Sequence, residues 1–278
     1  PAPTNHALEL DGTNSWVELP PNIFTNLTEA TVEVWAKWDS LRNFSRIFEF
    51  GAGWQSMSLF NHGDTADLRF NIYPEYAAPG SGNPQHIVRV NNLLRTNEWI
   101  HFAALSGPGG MKLYANGALV GEHTSQASFA DIKVAQTNIV GRGLVQSPTD
   151  QDFRGQMDEL RVWNHRRSEE QIRRSMAERL TGNEPGLAGL WNFDSAENGV
   201  LRDSSPGGRH GRLIGNARVV AAQLPTPGTT PTMASVLSLD GTNSYVQLPD
   251  DIFHTLTQGT VEAWVWPNHW EGIQRFFN

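Results

Sequence analysis

The chain has 278 residues, 21 Lys and Arg against 29 Asp and Glu, a formal net charge of −8, and no cysteine. A 38% hydrophobic content with ten Trp supplies a sizeable core and argues against a disordered chain. No basic block could track a phosphate backbone, no apolar run nears the roughly 18 residues of a membrane span, and disulfides and thiolate metal sites are excluded.

The opening PAPTN reads as a linker, at the start of an excised or processed piece. Residues 8–19, LELDGTNSWVEL, alternate apolar and polar on both sides of a turn, the pattern of two strands with one wet face. In that turn Asp11 is either an Asx cap or, with loop carbonyls, an oxygen donor to a hard cation. TVEVW (31–35), IFEF (47–50), LRFNI (68–72), IVRV (87–90) and LRVW (160–163) repeat the alternation. Trp16, Trp35, Trp38, Trp99, Trp163 and Trp191 fall in such patterns and are assigned to the core.

Two stretches, 51–56 and 73–86, are loop-rich, and PEYAAPGSGNPQH (74–86) is long and polar. Long loops on rigid scaffolds tend to carry function, although an ordinary variable loop is the plainer reading. Trp54, Tyr73, Tyr76 and His86 lie in or beside them. With Asn61, His62 and Arg69 as polar partners they form the candidate ligand face. The histidines show no paired metal spacing and are read as structural.

GPGG (107–110) marks a turn. MKLYANGALV (111–120) places Asn-Gly between apolar runs, the signature of a two-residue hairpin whose turn needs two positive φ angles. Asp158 and Glu159 are adjacent, so strict alternation sends them to opposite faces. SEEQ (168–171) is a capping box, and Ile172, Met176 and Leu180 form an apolar stripe, which predicts one short helix near 168–180 with Arg173, Arg174 and Arg179 on its solvated side.

LELDGTNSWVEL and PPNIFTNLTEATVEVW (20–35) recur as LSLDGTNSYVQL (237–248) and PDDIFHTLTQGTVEAW (249–264). The internal repeat divides the chain into a domain over 5–222, a Pro/Thr linker over 223–233, and the start of a second, truncated copy over 234–278. Residues 187–220 either close the first copy or open the second. Packing on the first is expected, because strands placed only with the truncated copy would leave an open edge. The short second copy is expected to dock or to self-associate by strand swapping.

The ordered set LELDGTNSWVEL, TVEVWAKW, NEWIHFAALSG, MKLYANGALVG and FRGQMDELRVWNHRRSEEQI resembles the laminin-G-like, concanavalin A-like lectin/glucanase jelly-roll family over residue 5 to about 180. The resemblance implies an all-β, two-sheet antiparallel jelly-roll sandwich of about twelve to fourteen strands. It implies a structural Ca²⁺ held by Asp11, by oxygens as far as Asn14, and by Asp158. It also implies a non-catalytic recognition or adhesion module that binds glycan or protein, extracellular or at a bacterial cell surface, within a larger protein. An architectural spacer or a sensor ectodomain is the alternative. A glycoside hydrolase is disfavoured, because the paired-carboxylate runs of the superfamily's enzymes are absent.

Overall fold

The computed structural model describes residues 5–75, 86–145 and 147–225. The chain divides into a unit of residues 1–234 and a second of 235–278. The second unit, with the recurring motif and any self-association through it, lies outside the described residues.

The alternating segments form strands. In chain order they are His6–Asp11 (β1), Ser15–Leu19 (β2), Ala30–Trp38 (β3), Arg46–Ala52 (β4), Gln55–Asn61 (β5), Leu68–Ile72 (β6), His86–Val90 (β7), Ile100–Ser106 (β8), Met111–Ala115 (β9), Ala118–His123 (β10), Thr137–Val140 (β11) and Arg154–Trp163 (β12). A helix at Glu169–Ser175 (α1) follows. Leu187–Trp191 (β13), Ala196–Glu197 (β14), Val200–Leu201 (β15), Gly211–Gly215 (β16) and Arg218–Ala221 (β17) complete the series.

These strands make two antiparallel sheets. An eight-stranded sheet runs β10-β9-β8-β3-β12-β1-β17, with β13 also on β12, and a nine-stranded sheet runs β14-β15-β16-β2-β11-β4-β5-β6-β7. β12 is long enough to take β1 along its first half and β13 along its second. Residues beyond α1 therefore add strands to both sheets, which lifts the number above what the resemblance implied. Among the described residues no helix is long and apolar enough to cross a membrane.

The core lies between the sheets. Leu8, Leu10, Val34, Trp38, Phe102 and Met157 of one face Val17, Phe48, Phe50, Leu59, Phe70 and Val88 of the other, all essentially without solvent contact. Each large side chain contributes about 1.5–3 kcal/mol of transfer free energy. Where β7 meets β10, a Cβ on Gly121 would stand 2.6 Å from Val88 Cγ1, so only glycine lets the two sheet margins close. The Asn116-Gly117 turn has both φ angles positive, 47° and 78°, the two-residue hairpin geometry.

Trp38 and Trp191 are interior as expected, and Trp163 is nearly so. Trp35 is buried on the outer side of the eight-stranded sheet, under the segment that follows α1, where its Nε1 donates to the Met176 carbonyl at 2.8 Å. Trp16 and Trp99 are only half-buried and lie under cations, Arg142 at 3.8 Å and Lys37 at 5.2 Å from the ring centres. A cation above the ring face repays a tryptophan that stays outside the core.

The capping box forms as its sequence dictates. Ser168 Oγ accepts from the Gln171 amide, and Gln171 Oε1 accepts from the Ser168 amide. The helix stops at Ser175, short of 180. Side chains of the sheet take its last carbonyls: Arg161 donates to Ser175 and Glu178, and Trp35 to Met176. These bonds replace the helical ones that a longer helix would need. Leu180 packs instead on Trp163, Leu187 and Leu190.

Candidate functional site

Charged side chains gather on the outer side of each sheet, and the two groups differ in how far they are paired. On the eight-stranded sheet Glu33, fully buried, faces Arg167 at 2.9 Å, Arg161 at 3.7 Å and His101 Nε2 at 3.3 Å. Burial pushes the Glu33 carboxyl up, but His101, Arg161 and Arg167 overcome it and hold the pKa down to about 2. Burial lowers His101, leaving it neutral and the arginines as Glu33's counter-charges.

A register shift between Asp158 and Arg161, with Glu159 at φ 52°, breaks the alternation of β12. Glu159 therefore does not point away from its neighbours as alternation requires. Its carboxylate reaches Arg161 at 3.0 Å, and its charge is felt by Asp158. Burial raises Asp158 to about 8, with Glu159 adding to it against the hydrogen bond from Asn5. Burial also raises Glu159, opposed by Arg161. Asp158 and Glu159 are 0% and 5% exposed, so neither carboxylate can meet a substrate in this state.

The nine-stranded sheet presents a different surface. Residues directly opposite on neighbouring antiparallel strands share a face. One row across it reads Glu49, Ser58, Asn71, Ile87, and the next reads Arg46, Phe60, Arg69, Arg89. Phe48, Leu59, Phe70 and Val88 lie between these rows and point to the core. Tyr73, two residues past Asn71, continues the face, and its amide donates to the Ser56 carbonyl at 2.8 Å. At that end the β4–β5 turn carries Trp54, which is 59% exposed. Gln55, the first residue of β5, donates to the Pro74 carbonyl.

Parts of this face are closed. Glu49 accepts from Arg46 Nε, Ser56 Oγ and the Leu144 amide, and Arg46 also binds Asp150 at 2.7 Å. Other parts are open. Asn71 Nδ2 donates to Tyr73 Oη at 3.1 Å, while Asn71 Oδ1 is buried without a partner among the described residues. Neither Arg69 nor Arg89 has a carboxylate within ion-pair distance among the described residues. Burial and then the Arg89 charge lower the Arg69 pKa. Burial raises Tyr73, and Arg69 and Arg89 oppose that rise.

Of the residues proposed from sequence, Arg69 and Tyr73 lie on this face. His62 stands at its far end with its ring 5.3 Å from Phe44, and burial together with Arg69 lowers its pKa. Trp54 sits at the opposite end. Asn61 does not belong to the face: it is fully buried, accepts from Ser45 Oγ, and donates to the Arg42 and Gly63 carbonyls, fastening two loops. His86 does not belong either. It pairs in register with core-facing Ile72 and lies 5.8 Å from His123 at the other margin. Tyr76 lies outside the described residues. Asn71 and Arg89 were not singled out from sequence, although both follow the alternation that marks Arg69.

The calcium set implied by the resemblance does not fit. Asp11 is opposite Arg154 on β12, four positions from Asp158, which is about 13 Å along a strand. Asp11 Oδ1 accepts from the amides of Thr13 and Asn14 and from Ser15 Oγ, and Oδ2 accepts from Asn216. The bonds from Ser15 and Thr13 hold its pKa far down, so Asp11 is the cap of an Asx turn. The Asn14 carbonyl accepts from the Asn216 amide. Asp158 is buried, and its carboxylate oxygens accept from Asn5 Nδ2 and the Glu159 amide. Among the described residues no three His, Asp or Glu side chains cluster in a way that could hold a metal ion.

A family model described as the concanavalin A-like lectin/glucanases superfamily matches residues 11–173. Among solved structures, a candidate carbohydrate-binding protein from Bacteroides ovatus is 21% identical with TM-score 0.60, over 81% of this chain and 62% of its own. This chain thus spans less than two thirds of that protein's length. The CBM40 of a Ruminococcus gnavus IT-sialidase, solved with α2,3-sialyllactose, is 15% identical at TM-score 0.49, over 60% of this chain and 95% of its own. A heptameric SAP-like pentraxin from Limulus polyphemus is 16% identical at TM-score 0.48, over 74% and 97%. No curated protein matches the chain. At 21% identity the likeness to the Bacteroides ovatus protein establishes the fold alone.

Proposed function

The chain belongs to the concanavalin A-like lectin/glucanase superfamily, and from that premise we propose that it is a non-catalytic glycan-binding module whose ligand lies on the outer face of the nine-stranded sheet. The carrying observation is the combination there of an exposed Trp54, a half-buried Tyr73 and two arginines, Arg69 and Arg89, that have no carboxylate within ion-pair distance among the described residues. Flat aromatics give sugars an apolar stacking surface, and fixed polar groups give orientation. The Bacteroides ovatus relative, described as carbohydrate-binding, supports the same reading.

Catalysis finds no support on either face. Glycoside hydrolysis needs two carboxyl groups flanking an accessible bond. Glu33, Asp158 and Glu159 are buried, and Glu49 is occupied by Arg46, Ser56 and the Leu144 amide. On this reading the module acts outside the cell as one segment of a larger surface or secreted protein, in keeping with its lectin-type fold.

A glycan array followed by calorimetric titration tests this. At least one oligosaccharide should bind, and Trp54→Ala or Tyr73→Ala should weaken it about tenfold, the loss of one stacking contact. Failure of any glycan to bind, or full affinity in both variants, would contradict the proposal.

A further inference from the structure

We infer that the glycan bound on this face is acidic, and that Arg69 and Arg89 grip its carboxylate or sulfate. The inference rests on the glycan-binding reading above and specifies its substrate class.

Arg69 and Arg89 are direct cross-strand partners on β6 and β7. Side chains in that relation stand about 5 Å apart at Cβ, and like charges there destabilise a sheet. This chain has acid to spare, with 29 Asp and Glu against 21 Lys and Arg. It uses that acid elsewhere: Arg142 is paired with Asp152, Arg212 with Glu18 and Arg218 with Glu9. The two opposed arginines are left without a carboxylate among the described residues. The charge of the nearby Asp67 is felt by Arg69, but Asp67 accepts from the Asn92 amide and makes no ion pair with either arginine.

Edge protection does not explain the pair. A charge on an edge strand discourages pairing with another chain, and Arg89 on β7 could serve that purpose. Arg69 lies one strand further in, with β5 and β7 bonded on either side. It is half-buried rather than splayed into water, and it meets Phe60 of the same row, which is 6% exposed.

Two guanidinium forks side by side match an oxyanion, which can accept paired N–H donors in one plane. Asn71 and Tyr73 continue the face along β6, with Asn71 Oδ1 still lacking a donor. Asn71 is buried, so the groups that a ligand meets on this face are the exposed Arg89 and the half-buried Arg69 and Tyr73. Burial and then the Arg69 charge lower the pKa of the flanking His62.

The test titrates the full chain with a galacturonic acid trisaccharide, a chondroitin sulfate tetrasaccharide and neutral maltotriose. Each is run against wild type, Arg69→Gln, Arg89→Gln, the double variant, and Arg212→Gln as a control. Circular dichroism and melting establish that each variant folds. At least one acidic probe should bind tenfold or more tighter than maltotriose, with the preference shrinking in high salt. Each single variant should weaken acidic binding about tenfold, the double variant should remove the preference, and the control should match wild type. Both acidic probes carry carboxylates, so comparable binding of the two points to the carboxylate and tighter binding of the chondroitin probe points to its sulfate. Equal affinity for acidic and neutral probes, unchanged in both arginine variants, would overturn this inference while leaving glycan binding intact. No binding of any probe, combined with a blank glycan array, would overturn both.

Discussion

The outer faces of the two sheets use the same residue types to opposite ends. On the eight-stranded sheet Arg161 and Arg167 are matched by Glu33 and Glu159 and by the carbonyls that follow α1. On the nine-stranded sheet Arg69 and Arg89 have no carboxylate within ion-pair distance among the described residues, and the carboxylate charge that acts on Arg69 from nearby is that of Asp67. A buried charge cluster that closes on itself fastens one element to another. A cluster that does not close carries a standing electrostatic cost, which a bound partner can remove.

Substitutions that unbalance each side should expose the difference. The largest effect belongs to Arg161→Leu, which strands Glu159 and the carbonyls of residues 175 and 178 and takes one of two arginines from Glu33. Urea denaturation should show a loss of about 3–5 kcal/mol, the usual cost of breaking a buried ion network. Next comes acid sensitivity through Glu33. Its folded pKa, about 2, lies below the ordinary 4.5, so its contribution is present above pH 4.5 and drains away as pH falls toward 2. Melting curves across that window should fall more steeply for wild type than for Glu33→Gln, with the variant less stable at pH 7.

On the open side the effects should be smaller and of the other sign. Arg89→Gln removes a like-charge opposition and should leave stability unchanged or raise it by about 0.2–1 kcal/mol in the same urea assay. A loss comparable to that of Arg161→Leu would erase the distinction between the faces. The smallest effect is expected from calcium. Asp11 and Asp158 do not share a site, so millimolar Ca²⁺ followed by EDTA should not move the melting temperature, whereas a bound ion held at a hundredfold its Kd would stabilise by about 2.7 kcal/mol.

The strands, the Asn-Gly hairpin and the capping box were legible in the sequence because each depends on neighbours close along the chain. Arg69 and Tyr73 were singled out for lying near the loop-rich stretches, and the strand pattern puts both on the outer face of the nine-stranded sheet. Asn71 and Arg89 obey the same alternation, but only strand order shows that β6 and β7 are adjacent and that Arg89 stands opposite Arg69. Asn61 and His86 misled because polarity near a loop does not distinguish a side chain that fastens backbone from one that faces a ligand. The Asp158–Glu159 pair misled because a bulge cancels alternation locally. The end of α1 was hidden because residues in β3 and β12, far away in sequence, take its carbonyls.

Hydrogen exchange of the full chain, with and without a saturating oligosaccharide, tests most directly which face receives the ligand. Added protection should appear in β5, β6 and β7, around Tyr73, Asn71 and Arg69, with β12 and α1 unchanged. Protection confined to α1 and β12 would place the ligand on the closed face and contradict the assignment.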